Sequence, residues 1–212
     1  MKRIWIYLLC LVSFLSCNDN YEGIKGQSYI HENVKPVLPD SIIDILKDGD
    51  IILRRGDGPL SFHLSRSTGE PYTHCGIIFK AKDKWGVIHT LGSDASEKEI
   101  DGVQTTTLSR FVKQAADSVL FICRPIFKNN AGDLVLDRAK YYLQQKVPFD
   151  HRFSLLTTDK FYCSELLYYV FKDANEGKNI FVIQKKRKSY ILMFSTFFKS
   201  QNFEKIYELK KF

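Results

Sequence analysis

Several features that would point to familiar functions are missing from this sequence. It has no CxxC or HExxH spacing, so zinc fingers and zincin-type metalloproteases find no support. It shows no nucleic-acid-binding motif, and its net charge of +7 is modest, so no nucleic-acid partner is expected. The apolar run at residues 4–15 is twelve residues long, which is too short for a membrane-spanning helix of about 20 residues.

The composition is typical of a folded globular protein. Its 212 residues suit one domain, and 44% of them are hydrophobic, enough to bury a core rather than remain disordered. No internal repeat or low-complexity stretch interrupts the chain.

The N-terminal residues predict export and a lipid anchor. Met1-Lys2-Arg3 precedes the apolar run, and Ser16-Cys17 follows it, as in a secretory signal peptide. Residues 14–17, Phe-Leu-Ser-Cys, resemble a bacterial lipobox, in which the cysteine is lipidated and becomes the first residue. Lipidation of Cys17 would tether the protein to a membrane of the bacterial cell envelope. An ordinary signal peptide with an incidental Cys17 is the alternative.

The chain is accordingly divided into three parts. We expect a lipoprotein signal peptide at residues 1–17, a polar tether at 18–40 and a folded domain at 41–212. The prolines and the absence of a sustained period in residues 18–40 are typical of a tether.

Cysteine usage leaves an odd number of thiols in the mature chain. Cys10 would leave with the signal, and a lipidated Cys17 would be blocked, so that Cys75, Cys123 and Cys163 remain. At least one of these three stays free even in an oxidising compartment. Cys75 and Cys123 could form a disulfide, or could both be plain core residues.

Hydrophobic periodicity predicts an α+β fold, with several strands in the middle of the domain and helices at both ends. Residues 80–84 are expected to form a hairpin turn. The predicted strands are 51–53, 74–79, 85–91, 103–107, 119–124 and 203–209. The predicted helices are 41–46, 58–67 (closed by Gly69), 108–114, 131–144 and 163–174.

Cys163 is the candidate nucleophile. It lies at the predicted start of the helix 163–174, after the polar residues 157–159. The helix dipole and the free N–H groups at that position favour a thiolate, and the backbone N–H of Cys163 could donate to an oxyanion. The competing interpretation is a small buried hydrophobic residue.

His74 and His89 are the candidate partners of this thiol. Both lie in predicted strands, and the hairpin would place His89 opposite or diagonal to His74 on the same face. His74 could act as the general base, and His89 could hold its tautomer. The alternatives are ordinary structural histidines, or a zinc site formed with Cys163.

Together these segments resemble the circularly permuted papain-like cysteine hydrolases, in particular the YiiX-like branch. That branch is related to the NlpC-type cell-wall peptidases and to lecithin–retinol acyltransferase. The resemblance covers about residues 45–175, and the segments that carry it are 48–53, 67–69, 73–77, 87–91, 149–150 and 162–166.

The resemblance implies an antiparallel sheet or barrel packed against helices, one of which carries the nucleophile. It assigns Cys163 as nucleophile, His74 as base and His89 as the third polar residue. A glutamate is expected at the third position in the YiiX-like branch, so His89 is closer to the NlpC-type arrangement. Phe149 stands where a tyrosine is expected.

Four further features lie outside the candidate thiol and histidines. Tyr162 and Glu165 are candidate substrate contacts, although Glu165 could instead satisfy a buried backbone group. Asp50 is expected to brace the turn before the first strand. The basic run at 185–188 could face an anionic surface or form a solvated loop. The aromatic residues spaced along 190–198 predict a core-facing helix or an apolar substrate groove.

We therefore predict an envelope cysteine hydrolase, an amidase or peptidase, that acts by acyl transfer. Its substrate would be a cell-wall peptide or a lipid-linked amino-acid amide, with a slight preference for a substrate that carries an acyl chain. An acyltransferase of the same fold and a non-catalytic lipoprotein that binds envelope peptides or lipids are the alternatives. No metal or cofactor is expected. The expected partners are a small peptide or acyl-amino-acid substrate and the membrane, and no pattern predicts the oligomeric state.

Overall fold

A six-stranded antiparallel sheet forms the centre of the fold. A computed structural model describes residues 35–93, 100–155, 157–186 and 189–210, which belong to one unit spanning 34–212. The sheet order is β4-β3-β2-β1-β5-β8, and a separate hairpin is formed by β6 and β7. The strands are β1 Ile51–Arg54, β2 His74–Ala81, β3 Lys84–Leu91, β4 Gly102–Thr107, β5 Leu120–Pro125, β6 Ile183–Lys186, β7 Ser189–Leu192 and β8 Phe203–Leu209.

The helices pack on both faces of this sheet. The two longest, α4 and α5, lie against one face, and α3 lies against the other. The helices are α1 Asp40–Ile43, α2 Pro59–Thr68, α3 Leu108–Lys113, α4 Ala131–Gln144, α5 Cys163–Ala174 and α6 Thr196–Lys199. This is the antiparallel sheet with packed helices that the sequence predicts, including a helix that begins at the candidate nucleophile.

Two hydrophobic cores follow from side-chain alternation along the strands. Ile51, Leu53 and Cys75 point towards α4 and α5, where they meet the apolar face of α5. Ile52 and Ile78 point the other way, towards α3. Each strand of the sheet centre is therefore buried on both faces, and β1 is fully buried along its length.

Asp50 fixes the turn that leads into β1. Its carboxylate is fully buried and accepts from the guanidinium of Arg124 through two hydrogen bonds of 2.8 Å. It also accepts from the backbone N–H of Lys47 at 2.8 Å. The same guanidinium donates to the Ile45 carbonyl oxygen, and its pKa is raised by the hydrogen bond to Asp50. This is the structural role expected for Asp50.

Two glycines allow the same turn to contact the start of α4. Gly49 has φ +82°, and a Cβ built on it would lie 2.1 Å from the carbonyl oxygen of Gly132. A Cβ on Gly132 would lie 2.6 Å from the carbonyl oxygen of Asp48. The two backbones therefore touch directly, which no larger residue at either position would permit.

Most predicted elements are observed within a residue or two of their expected bounds, and helices 131–144 and 163–174 and strand 203–209 are exact. Gly69 ends α2 with φ +74°, as expected. The helix predicted over 41–46 is shorter and begins one residue earlier. The interpretation of 190–198 as one helix is wrong, because Tyr190 lies in β7 and helix forms only over Thr196–Lys199. Pairing of β7 with β6 overrides the local period.

The aromatic residues of this C-terminal segment divide between core and surface. Phe194 and Phe197 are buried in the core beside α5, whereas Tyr190 and Phe198 are more than one third exposed. Lys185 is exposed, and its Nζ lies 6.0 Å from the Tyr190 ring centroid. Residues 187 and 188 of the basic run lie outside the described residues.

Cys75 and Cys123 are both free and fully buried. They lie on strands that flank β1 from opposite sides, opposite Leu53 and Ile51 respectively. Two strand spacings of about 4.8 Å separate them, beyond the roughly 7 Å that a disulfide can bridge between Cα atoms. Of the two interpretations, the structure supports plain core packing for both.

The predicted signal peptide, Cys17 and the tether as far as residue 34 lie outside the described residues. Leu38, near the end of the predicted tether, is buried in the core on the α3 side. Among the described residues, no helix is long and apolar enough to span a membrane.

The Asp50–Arg124 pair gives a first testable prediction. Asp50→Asn removes the negative charge but leaves the Arg124 guanidinium partly buried, and we expect the free energy of unfolding to fall by about 3 kcal/mol. Urea denaturation followed by circular dichroism measures this loss. Asp83→Asn, in the exposed turn between β2 and β3, is the control and should change the midpoint little. Equal midpoints for the two variants would contradict the bracing role.

Candidate active site

Cys163 is the first residue of α5. Its position results from the extended backbone of Tyr162, at φ −88° and ψ 174°, after which the chain turns into the helix. The thiol is half-buried. Among the described residues, no hydrogen bond uses the Cys163 backbone N–H, so that this donor is available at the mouth of the site.

The Cys163 thiol contacts the residue that precedes β2. It donates to the Thr73 carbonyl oxygen at 3.8 Å. The hydrogen bond from Cys75 lowers the pKa of Cys163, the backbone N–H groups of Ser164 and Cys75 and the charge of Arg54 lower it further, and burial opposes them. The Cys163 thiol is therefore the more acidic of the two, because burial and this same bond raise the pKa of Cys75.

His74 and His89 form a buried pair. Gly76 lies in β2 facing β3, where any Cβ would lie 2.3 Å from a Val87 methyl group and 3.3 Å from the His89 Cβ. This close approach lets His74 Nε2 and His89 Nδ1 meet diagonally at 3.1 Å, on one face of the hairpin as predicted. His89 Nε2 is buried and has no hydrogen-bond partner among the described residues.

Both imidazoles are held in the neutral form. Burial lowers the pKa of His74 well below 6.5, and the charge of Arg54 and the neighbouring His89 add to this. Burial likewise lowers the pKa of His89 to about 3, with contributions from Arg54 and Arg110. A neutral imidazole is the form that can accept a proton.

The side chains of Phe111 and Arg54 lie next to the histidine pair on the α3 side of the sheet. The Phe111 ring of α3 stacks on His74 with ring centroids 5.4 Å apart and meets the edge of His89 at 5.6 Å. The Arg54 guanidinium lies 4.9 Å from the centroid of the same ring and donates to the Gln114 carbonyl oxygen. Arg54 is itself buried, directly opposite His74 in the sheet.

The thiol and the imidazole approach β2 from different faces. His74 points towards α3, and Cys75, the next residue, points towards α5 and Cys163. Within the described part of the chain, no hydrogen bond joins Cys163 to His74 or His89. The structure therefore brings all three predicted residues to the start of β2, but it pairs His74 with His89 and Cys163 with Thr73.

Glu165 has a structural contact. It is fully buried, and its Oε2 accepts from the backbone N–H of Tyr162 at 3.3 Å. This is the second of the two roles considered for it, the satisfaction of a buried backbone group. Its Oε1 has no hydrogen-bond partner among the described residues, and burial raises its pKa to about 8. Tyr162 is also buried, and burial raises its pKa above the usual value.

The loop before α5 is organised by Asp150. Its buried carboxylate accepts from the backbone N–H groups of Arg152 and Ser154 at 2.9 and 2.7 Å. Phe149, which replaces the expected tyrosine, forms an isolated parallel bridge with Phe161. This loop fixes the entry of the chain into Tyr162 and Cys163.

The sequence model of the permuted papain-like amidase family, described as YaeF/YiiX or C92, matches residues 45–203. The chain belongs to this family. The match covers every element that contributes to the site, so an amidase-type hydrolase is the class of enzyme to which the chain is related. No curated protein sequence matches the chain.

The fold of the C92 family is also seen in a solved structure. The chain is similar to YiiX from Escherichia coli O157:H7, with a TM-score of 0.64 and 18% sequence identity, over 78% of this chain and 98% of that one. At this identity the likeness concerns the fold alone. The permuted papain-like fold predicted from the sequence is thus confirmed.

The YiiX structure is described as a metalloprotein, and the residues here do not fit a metal ion. No group of three or more His, Cys, Asp or Glu side chains that could hold one occurs among the described residues. His74 and His89 are two nitrogen donors, and a protein site for zinc uses at least three ligands.

Three contributors to the site were not predicted from the sequence. Arg54 ends an apolar strand, and Phe111 lies in a short amphipathic helix, so neither has a local signal beyond burial. Cys75 was weighed as a disulfide partner or core residue, although its position next to His74 could have pointed to the site.

The neutral histidines predict acid lability. In the unfolded chain His89 takes up a proton below about pH 6.5, whereas in the folded chain its pKa is about 3. The unfolded state therefore binds more protons between these values, and the free energy of unfolding falls by about 1.4 kcal/mol per pH unit for this histidine as the pH drops. His89→Gln should flatten that part of the slope, measured by urea denaturation from pH 7 to 4.5.

Glu165 predicts a dependence of stability on pH that is opposite in sign to that of His89. Its pKa is about 8 in the folded chain and about 4.3 when unfolded, so the folded state binds more protons and stability falls as the pH rises through this window. Glu165→Gln should flatten the fall in stability between about pH 6.5 and 8, above the window of His89. Between about pH 4.5 and 6.5 the two variants should change the slope in opposite directions, and changes of the same sign would contradict the assignment of these two groups.

Proposed function

We propose that this C92-family chain is a cysteine hydrolase that cleaves an amide through an acyl-enzyme on Cys163. The single observation that carries the proposal is the half-buried Cys163 at the start of α5, whose thiol has a lowered pKa and contacts the carbonyl oxygen of Thr73, the residue that precedes the neutral, hydrogen-bonded His74. An acidic thiol and a neutral imidazole on two rigid elements are what nucleophilic catalysis by cysteine requires.

His74 is the general base of the proposed reaction. The thiol proton passes to His74 Nδ1, the sulfur attacks the carbonyl carbon, and His74 returns the proton to the leaving amine as the C–N bond breaks. Water then hydrolyses the thioester and releases the acid. Rotation of the Cys163 side chain away from Thr73 is needed for the first step, in keeping with the general finding that catalytic hydrogen bonds often align only when substrate is bound.

His89 sets the tautomer of His74. For His74 Nδ1 to accept a proton, His74 Nε2 must carry the hydrogen and donate it to His89 Nδ1, 3.1 Å away. His89 then carries its own proton on Nε2. The role is that of the third member of a catalytic triad, here filled by histidine rather than the glutamate expected for the YiiX-like branch.

The rim of the site favours a substrate that carries an acyl chain. Leu60 and Phe62 of α2 are 51% and 63% exposed, and Phe153 is 37% exposed with its ring 5.7 Å from that of Tyr162. The segment that leads into α2 contacts Thr73, whose Oγ1 accepts from the backbone N–H of Gly56 at 2.9 Å. Exposed apolar side chains beside a polar reaction centre suit an acyl-amino-acid amide better than a bare cell-wall peptide.

The proposed location is the bacterial cell envelope. The sequence of residues 1–17 supports it, because a lipidated Cys17 would hold the domain at a membrane, where acyl-bearing amides are found. A small acyl-amino-acid substrate and the membrane itself are the proposed partners.

Alkylation of Cys163 tests the thiol–imidazole relation. Iodoacetamide labelling, read at Cys163 by peptide mass spectrometry from pH 5 to 10, should persist well below the free-thiol pKa of about 8.5. His74→Ala and His74→Gln should slow labelling near neutral pH, because the proton acceptor is gone. Cys163→Ser shows which signal belongs to this residue rather than to Cys75 or Cys123. Slow labelling that is indifferent to both His74 variants would contradict the hydrolase proposal.

Turnover separates the proposal from its alternatives. We expect N-acyl amino-acid amides of increasing chain length to be hydrolysed, with loss of activity in Cys163→Ala and an acyl adduct of Cys163 visible by intact mass.

His89→Leu should lower kcat by roughly 10²–10⁴, as for loss of a tautomer-setting residue, and His89→Gln by less. A product that appears only with an added amine acceptor would indicate a transferase. Binding that survives Cys163→Ala with no turnover of acyl amides or muropeptides would indicate a binding lipoprotein.

A further inference from the structure

Phe111 packs against both histidines of the candidate site. Its ring lies nearly parallel to the His74 imidazole, with 25° between the two planes and 5.4 Å between the centroids. It stands almost perpendicular to the His89 imidazole, with 84° between the planes and 5.6 Å between the centroids. The two imidazoles are themselves at 88° to each other. One fully buried aromatic ring thus contacts both members of the hydrogen-bonded pair.

We propose that Phe111 is a positioning residue for the histidine pair: its ring fixes the plane of the His74 imidazole, so that Nε2 donates to His89 and Nδ1 is the atom that accepts the thiol proton. The inference rests on the proposed role of His74 as general base. Because Phe111 is fully buried, it acts through His74 rather than on the substrate.

The stacked ring restricts the motions that would break the hydrogen bond between the histidines. Nδ1 and Nε2 both lie in the plane of the imidazole, and a hydrogen bond at either nitrogen is directed close to that plane. Rotation of the His74 ring out of its observed plane would bring its edge against the face of Phe111. The same rotation would carry His74 Nε2 away from His89 Nδ1, which lies 3.1 Å from it.

Helix α3 holds Phe111 in place from both ends. Its N-cap is Thr107, the last residue of β4, whose side-chain oxygen accepts from the backbone N–H of Arg110 at 3.2 Å. At the other end, the carbonyl oxygen of the C-cap Gln114 accepts from the guanidinium of Arg54, at the end of β1. The helix is therefore tied to two different strands, and Phe111 lies between the two ties.

Arg54 also contacts the ring itself. Its guanidinium carbon lies 4.9 Å from the Phe111 centroid, within the range of a cation–π interaction, and Arg54 is directly opposite His74 in the pairing of β1 with β2. The aromatic ring is thus packed against a cation as well as against the two imidazoles. This gives the ring a preferred position that an aliphatic side chain would not have.

The surroundings of the pair keep both rings neutral. Charged or titratable groups of five elements lie near it: Arg54 of β1, Arg110 of α3, Cys163 of α5 and the two histidines themselves on β2 and β3. Burial and the positive charges disfavour the imidazolium form, which lowers the pKa of both histidines. Removing the Phe111 ring would admit water to the pair, so that His74 would take up a proton closer to pH 6.5.

Histidine nitrogen NMR of the isotope-labelled, otherwise unmodified full chain tests the role. His74→Gln and His89→Gln assign the signals, and the nitrogen shifts report the tautomer and the protonation of each ring. We expect His74 in the Nε2–H form, with ring protons shifted upfield by the stacked Phe111 ring and no protonation near pH 6.5. A His74 ring in the Nδ1–H form, or one that titrates near pH 6.5, would overturn the proposal.

Phe111→Leu removes the ring but keeps an apolar side chain in the same core. We expect His74 to exchange between tautomers and to titrate closer to pH 6.5, and kcat for an acyl amide to fall by roughly 100-fold with little change in KM. Phe197→Leu is the matched control, because Phe197 is also fully buried but packs against Phe171 and Phe203 in the other core. It should lower the urea midpoint without altering either histidine signal.

The spectra and the turnover separate this proposal from the function on which it rests. Identical histidine spectra for folded Phe111→Leu and the wild type would overturn the positioning role. An altered tautomer in Phe111→Leu, in a chain that hydrolyses no acyl amide even as the wild type, would leave the positioning of the pair standing and refute the hydrolase function instead.

Discussion

The arrangement of the site depends on the alternation of side chains along β2. Successive residues of a strand point to opposite faces, so His74 faces α3 while Cys75 faces α5. The candidate base, His74, and the buried Cys75 are therefore consecutive residues of one strand that face opposite sides of the sheet. A slip of one residue in the pairing of β2 with β1 or β3 would exchange both faces and dismantle the site. The buried Asp50–Arg124 pair and the close contact of Gly49 with Gly132 fix the turn that leads into β1 and support that register.

Burial acts in opposite directions on the two halves of the site. It keeps the histidines neutral by disfavouring the imidazolium form, and it would keep a thiol neutral for the same reason. The thiol escapes this because donors surround it: the S–H of Cys75 and the backbone N–H groups of Ser164 and Cys75, with Arg54 nearby. Acidity at Cys163 thus comes from fixed dipoles and the charge of Arg54 rather than from an imidazolium partner.

The sequence was sufficient to predict the helices and the hairpin, which depend on local residue pattern. Residues 131–144 and 163–174 show helical periods and form helices at those bounds, and the hairpin brings His74 beside His89. It was insufficient where long-range packing decides. The pairing of β7 with β6 overrode the helical spacing of the aromatic residues after Tyr190. The burial of Arg54 against Phe111 and the contact of Cys163 with Thr73 join residues more than 50 positions apart, and no period in one segment reports such contacts.

Helix α2 is less buried than the other long helices of the fold. None of its ten residues is fully buried, and in the chain it lies between β1 and β2. Unfolding this helix exposes little apolar area, so its local opening costs less free energy than opening of the sheet. The amide hydrogens of α2 are therefore expected to exchange long before those of β1 and β2, the strands that frame the thiol and the histidines.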